Sequence, residues 1–337
     1  MNVSENRAEL KVADQAVTMN LQRKAALARG GAVDHAGRVD VKRMTDFDMS
    51  RTIFGGLEGL ARKFMDEKLA KEPVWEHATA AEVEAAHTKA EALQPSPTID
   101  QRLIDFMTQE CDFSMEHADG TFLEHLVFCH HYAARYYPEH SPNVALLHSI
   151  LGTATNTFAM KADKLPKLKR LLTDFEAIQV ETFPSILRLL YNNEFLDELD
   201  QNMQRLDQLQ SLQCYRVIDN EPLTIDAENL WINLNFHLMH FVDFMPSANW
   251  STHRADPLLQ MFERLSHLLD RAGQRRAQVQ VTFPTKNAPP VREVRTLFGR
   301  FTGLLPASLT LKLARKSIQD YSQKAGHNLA YELTWND

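Results

Sequence analysis

Cysteine is scarce in this chain: Cys111, Cys129 and Cys214 are its three among 337 residues. The number is odd and no two share C-x-x-C spacing, which argues against a disulfide framework or a structural zinc knuckle and fits a reducing compartment. Glycine is also sparse, with twelve residues, and Gly120, Gly152 and the pair Gly30-Gly31 stand too far apart to cradle phosphates. No Gly-rich phosphate loop, G-x-S-x-G elbow or dinucleotide fingerprint is present. Long apolar runs are missing too: none approaches the roughly 18 residues that span a bilayer. The opening MNVSENRAELKVADQ carries acids early and has no apolar centre, so it does not read as a secretory signal. Internal repeats and low-complexity tracts are absent. The expectation is a soluble, cytoplasmic protein, long enough to bury one large core or two smaller ones without disulfides or metals.

Charge of one sign is concentrated at one end. From Arg271 to Asp337 there are eleven Lys/Arg against four Asp/Glu, a balance of +7 in a chain whose net charge is −7, so the remainder carries −14. Such a tail either meets an anionic partner or membrane surface, or is a solvated helix face docked on the acidic body. The acidic whole makes nucleic acid the least favoured partner.

The hydrophobic pattern predicts a mainly α protein. Residues 5–30, 53–72 and TAAEVEAAHTKAEAL combine helix formers with scattered apolar positions, and Gln94-Pro95-Ser96-Pro97 reads as a linker. This sets off residues 1–97 as a helical N-terminal extension that packs on the main body or mediates association into a homo-oligomer. Residues 98–272 form the central helical domain. It opens with TIDQRLIDFMTQECDF, with Thr98 or Asp100 near the helix start. The helix TFLEHLVFCHHYAARYY then stops near Tyr137, before Pro138, and Ser141-Pro142 opens NVALLHSIL. Further helices are predicted over KLKRLLTDFEAIQVETF, PSILRLLYN, FLDELDQNMQRLDQLQSL, DAENLWINLNFHLMHFVDFM (with Thr224 as a weak cap) and DPLLQMFERLSHLLDRAG. Residues 273–337 form a small basic α/β region, in which AQVQVTF and LAYELTW alternate like strands and can pair.

Six of the fourteen histidines crowd between His117 and Met160: His117, His125, His130, His131, His140 and His148. Imidazole is the commonest metal ligand and titrates nearest physiological pH. His125 sits mid-helix and His148 follows 23 residues later on the next helix, so an antiparallel pair joined by a short turn brings the two opposite each other. Two motifs carry this arrangement, Phe122-Leu123-Glu124-His125-Leu126 and Leu146-Leu147-His148-Ser149-Ile150-Leu151-Gly152-Thr153. In these motifs the chain resembles the HD-domain superfamily, and more closely a subgroup of unknown function within it with F-L-x-H-L and L-x-H-S-x-x-G-T patterns. The resemblance covers residues 100–250. It implies an HD-like helical core and the chemistry of metal-dependent phosphohydrolases or mixed-valent di-iron oxygenases. The superfamily's second motif is His-Asp, and its Asp is a ligand; here the position is Ser149. The late metal-binding Asp of the superfamily aligns in LWINLNFHLMHFVDFM with Asn233 or Asn235, or else with Asp243.

A substitute ligand set exists on that segment. His237, His240 and Asp243, spaced i, i+3, i+6, share one broad helix face and with His125 and His148 can hold zinc, iron or manganese. The alternative is that His237 and His240 are hydrogen-bonded histidines on an apolar helix and that no metal is bound. Adjacent His130 and His131 point about 100° apart, so at most one faces any site, and packing accounts for them. Ser149 is the candidate to orient water or substrate. His117, in HADG, places an imidazole at a pocket mouth or belongs to a plain turn. Thr153 and Asn156, in the polar run after His148, and Asn235 are candidate ligand-binding groups, or satisfy backbone at a helix end. Two functions follow: a metal-dependent hydrolase or oxygenase acting on a small molecule, or a non-catalytic HD-like binding or assembly protein that has lost its metal.

Overall fold

The structure, a computed structural model, describes residues 19–29, 38–43, 56–61, 71–75, 77–111, 116–117, 120–154, 160–244, 257–279 and 306–336. The protein is mainly α. In chain order the regular elements are α1 (Leu21–Arg29), β1 (Arg38–Arg43), β2 (Lys71–Trp75), α2 (His77–Leu93), α3 (Gln101–Glu110), β3 (Glu116–His117), β4 (Gly120–Thr121), α4 (Phe122–Tyr136) and α5 (Asn143–Leu147). They continue with α6 (Leu165–Lys169), α7 (Asp174–Asn192), α8 (Glu194–Gln201), β5 (Leu209–Tyr215), β6 (Pro222–Asp226), α9 (Ala227–Phe244), α10 (Pro257–Arg271), α11 (Ala307–Ala325) and β7 (Glu332–Trp335). Among the described residues no helix is long and apolar enough to cross a membrane.

Local chemistry explains where the central helices start and stop. Asp100 caps α3, its carboxylate accepting from Arg102 N at 2.9 Å. Thr173 opens α7 with a capping box: its hydroxyl accepts from Glu176 N, and the Glu176 carboxylate accepts from Thr173 N. Glu176 also accepts from Ser141 Oγ (2.6 Å) and Asn143 Nδ2 (2.8 Å), which fixes the entry of α5 against the start of α7. Asn193, in the left-handed region at φ 64°, turns the chain from α7 into α8, a conformation that Asn tolerates better than most residues.

α7 and α9 form the centre, and almost every residue of α7 from Glu176 to Asn192 is buried. α9 packs on α4, α7, α10 and β5, while α4 packs on α5. α1 lies across α2, α4 and α9, so a helix from the N-terminal segment closes over the central ones. The largest apolar cluster joins Ala26 and Leu27 of α1 to Phe128, Tyr132, Phe183, Leu234 and Met239, and reaches Ile318 and Leu333 near the C-terminus.

The sheets differ from the sequence expectation. The predicted strand LAYELTW supplies β7, but its partner is β5, in an antiparallel sheet of order β6-β5-β7 with Leu212 opposite both Ile225 and Leu333. All three of those side chains are buried. The predicted partner AQVQVTF is not a strand over residues 277–279, and its remainder falls outside the described residues. The helix predicted through FLDELDQNMQRLDQLQSL ends at Gln201, passes through a 3-10 stretch (Met203–Gln208) and becomes β5. Thr224 lies in β6, and α9 is capped instead by Asp226, whose carboxylate accepts from Asn229 N at 2.8 Å. The antiparallel pairs β1–β2 and β3–β4 also had no counterpart in the sequence reading.

Candidate metal centre

Four elements meet at the motif histidines. His125 projects from the first half of α4, His148 follows the last residue of α5, His237 and His240 come from α9, and Phe183 comes from α7. His125 and His148 are 1 % exposed, and Cys129, His237 and His240 are buried with them. The rings of His125, His148 and His240 lie with centroids 5.1, 5.5 and 4.5 Å apart. Phe183 closes one side, with its ring 4.9 Å from His148 and 3.7 Å from His237.

The hydrogen bonds fix the tautomers of the two motif histidines. His148 Nδ1 is 2.6 Å from the Ala145 carbonyl, which can only accept, so Nδ1 carries the proton. His125 Nδ1 is 2.6 Å from Asp243 Oδ2. Burial favours the neutral acid at Asp243, but the Arg23 guanidinium and the His125 hydrogen bond outweigh it and hold the carboxyl below the usual carboxylate range. Asp243 is therefore ionised and accepts, and His125 Nδ1 also carries its proton. Both Nε2 atoms are left as lone-pair nitrogens, and they face each other at 3.2 Å.

Two lone pairs at that distance repel unless a cation stands between them. A proton fits poorly: burial, and then the neighbouring His125, push the His148 pKa down to about 3, and burial likewise depresses His125 despite Asp243. A metal ion fits. Two nitrogens on one tetrahedral zinc, each at about 2.0–2.1 Å, stand about 3.3 Å apart. Cys129 Sγ offers a third donor atom, 3.8 and 3.9 Å from the two His125 nitrogens, and one such atom from each of His125, Cys129 and His148 lies within 4.8 Å of the others, a group that could hold a metal ion. With no metal, burial and then the Asp243 charge push the Cys129 thiol well above its ordinary pKa, so binding would have to displace its proton.

Behind the donors stands a charged pair. Arg23 Nε donates to Asp243 Oδ1 at 2.8 Å and Nη2 to Oδ2 at 3.1 Å, a side-on fork between buried groups. Glu124 Oε2 lies 3.9 Å from Arg23 Nη1. A carboxylate that orients the far nitrogen of a histidine is the usual support of a metal ligand.

Several expectations change accordingly. Asp243 sits behind His125, with both oxygens engaged by Arg23 and His125, instead of beside it as a ligand. Asn235 spends its whole amide on backbone: Nδ2 donates to Trp231 O and Gln274 O, and Oδ1 accepts from Arg276 N and Ala277 N. It ties the segment after α10 to α9 and has no capacity left for a ligand. His240 joins the ring cluster, whereas His237 lies against Phe183 with neither nitrogen hydrogen-bonded among the described residues. Ser149 is buried beside His148, and its carbonyl accepts from Gly152 N. Thr153 is buried, its hydroxyl without a partner among the described residues, and its carbonyl accepts from Arg188 Nε. His117 lies in β3 opposite Gly120, but its side chain falls outside the described residues, as does Asn156.

Two participants were missed in the sequence. Cys129 stands four residues after His125, the spacing that places two side chains on one helix face. Arg23 lies 220 residues from Asp243, and no local pattern signals it. No family model, curated protein or solved structure matches this chain.

Proposed function

We propose that the protein is a metal-dependent enzyme acting on a small molecule, with a divalent transition metal held by His125, Cys129 and His148. The observation that carries this reading is the pair of Nε2 lone pairs facing each other at 3.2 Å while both Nδ1 atoms are committed as donors. A thiolate with two imidazoles favours zinc or iron over manganese. Three protein donors leave a position for water or substrate, the pattern of catalytic rather than structural sites. A metal held by these residues would supply Lewis-acid activation of water for hydrolysis or, if iron, oxygen chemistry. The chain's own groups supply the surroundings. Asp243 and Arg23 hold His125 in one tautomer, Phe183 and the apolar core exclude water, and His237 offers buried imidazole nitrogens that no described group uses.

The HD-like reading draws support from the same place, since the two motif histidines are the ones whose Nε2 atoms meet. In this reading Cys129 brings the negative charge that Ser149, in place of Asp, does not. A second reading, a structural metal centre, is favoured by the burial of all three donors.

Metal analysis of the purified full chain, with His148→Ala and Cys129→Ala alongside, tests the centre. About one zinc or iron per chain that is lost in both variants is expected. An apo protein that takes up no zinc or iron on reconstitution refutes it. Metal whose removal abolishes folding, with no small-molecule turnover in the loaded protein, would favour the structural reading.

A further inference from the structure

Arg188 is a buried cation with no anion beside it among the described residues. It sits inside α7 with 1 % of its surface exposed, five residues beyond Phe183. Its Nε donates to the Thr153 carbonyl at 3.0 Å and its Nη1 to His327 Nδ1 at 2.7 Å, both neutral acceptors. His327 is no counter-charge, since an imidazole is either neutral or cationic, and burial and the Arg188 charge keep it neutral by depressing its pKa to about 4. The Tyr321 ring lies 5.9 Å from the guanidinium carbon. Among the described residues no carboxylate pairs with Arg188, and Nη2 has no hydrogen-bond partner. Arg23, the other buried arginine among the described residues, has Asp243.

Two further orphaned groups lie on residues hydrogen-bonded into the same network through their backbone carbonyls. The Thr153 hydroxyl is buried without a partner among the described residues, on the residue whose carbonyl holds Arg188. The Ser322 hydroxyl is also buried without a partner, and its carbonyl accepts from His327 N at 2.8 Å. That bond belongs to the turn ending α11, where Gly326 takes the left-handed conformation at φ 71° and folds the chain back so that His327 meets Arg188. An unsatisfied guanidinium N–H pair and two unsatisfied hydroxyls, all buried, are unfavourable unless something accepts from them.

We infer that Arg188 Nη2, with the Thr153 and Ser322 hydroxyls, forms a buried site for the phosphoryl group of a small molecule, screened from solvent by the half-buried His327. A phosphoryl group suits it better than a carboxylate. The side-on Nε/Nη2 fork that grips a carboxylate has lost Nε to Thr153 O, so the remaining donors come from separate side chains and call for an anion with several acceptor oxygens. Thr153 lies five residues after His148, and Arg188 is about 7.5 Å further along α7 than Phe183, so this site neighbours the histidines without sharing a residue with them.

The test is thermal unfolding of the full chain, at constant ionic strength and pH 7.5, in chloride, acetate or inorganic phosphate. Phosphate should raise Tm in a saturable way, and acetate should do so weakly or not at all. Arg188→Met should abolish the phosphate response, and Thr153→Val should raise the phosphate concentration needed at least several-fold. If Arg188→Met fails to fold, the wild-type titration and Thr153→Val still decide the matter. A phosphate response equal to that of chloride in the wild type overturns the proposal, as does one unchanged by Thr153→Val and Arg188→Met. A larger response to acetate than to phosphate overturns the phosphoryl assignment. Metal content is expected to be unchanged in both variants, so failure here leaves the histidine centre untouched.

Discussion

Asp243→Asn separates charge from shape at the candidate centre. The substitution is nearly isosteric and keeps an oxygen that can accept from His125 Nδ1, so the main loss is the negative charge opposite Arg23. Both side chains are 2 % exposed, and their contacts are 2.8 and 3.1 Å. Removing one partner of a buried pair leaves the other charge uncompensated, typically at about 3–5 kcal/mol. Glu124, 3.9 Å from Arg23 Nη1 and 26 % exposed, recovers part of this, so the lower end, about 3 kcal/mol, is expected. At roughly 2–4 °C per kcal/mol for a domain of this class, Tm should fall by about 6–12 °C.

Arg23→Met/Asp243→Asn removes both charges and should be more stable than Asp243→Asn alone, because it leaves no uncompensated buried charge. Urea unfolding followed by circular dichroism, run as a double-mutant cycle, measures the coupling. Loss of the group that orients His125 should also weaken metal affinity about 10–100-fold. A destabilisation under about 1 kcal/mol, or a double variant whose loss equals the sum of the singles, would refute the view of Arg23–Asp243 as a buried, mutually dependent pair.

Thr173→Ala deletes one half of the capping box on α7 and should cost about 1 kcal/mol in urea unfolding; no measurable change would mean that Glu176 holds the helix start alone. At Gly56 a Cβ would run into the Ser317 carbonyl, so Gly56→Ala should destabilise by about 1–3 kcal/mol and increase proteolysis near residue 56, whereas wild-type stability would show that this segment does not dock on α11. His327 has a folded pKa of about 4, below its unfolded value near 6.5. The unfolded chain therefore binds more protons in that window, and the stability that neutral His327 contributes is present above pH 6.5 and lost as pH falls towards 4. In phosphate-free buffer His327→Gln should flatten this slope; an unchanged pH profile would place the titration elsewhere.

Helix periodicity made α2, α3, α4 and most of α7 and α9 legible, and the histidine spacing across Pro138 suggested that His125 and His148 meet. What escaped depended on long-range contacts. β5 reads LQSLQCY, a short glutamine-rich run whose only advantage as a strand is that β6 and β7 come to flank it. Asp243 was visible as a polar residue on an apolar helix, but its role depends on Arg23, far away in the chain. Cys129 was legible in the i, i+4 spacing that puts it on the same helix face as His125, a face its neighbour His130 does not share. Arg188 left a fainter mark, a lone cation within SILRLLYN, which a surface helix would also tolerate; its burial is set by α11 and the turn at Gly326.

The two proposed sites share an electrostatic logic. Arg23 and Asp243 neutralise each other, and His125 and His148 are neutral, so Cys129 is the one anionic donor available to a dication. A metal bound there keeps about one unit of positive charge. Arg188 contributes a second buried positive charge with no counter-ion among the described residues. Yet the chain as a whole is acidic, at −7. A cationic interior within an acidic protein selects anions that can be enclosed and desolvated, because surface charge is screened within about 10 Å at ordinary salt whereas buried charge is screened far less. On this reading the charge inside, and not the −7 of the whole, decides which small molecules the protein takes up. A phosphorylated one, its anion at Arg188 and its other end towards the histidines, would engage both sites at once.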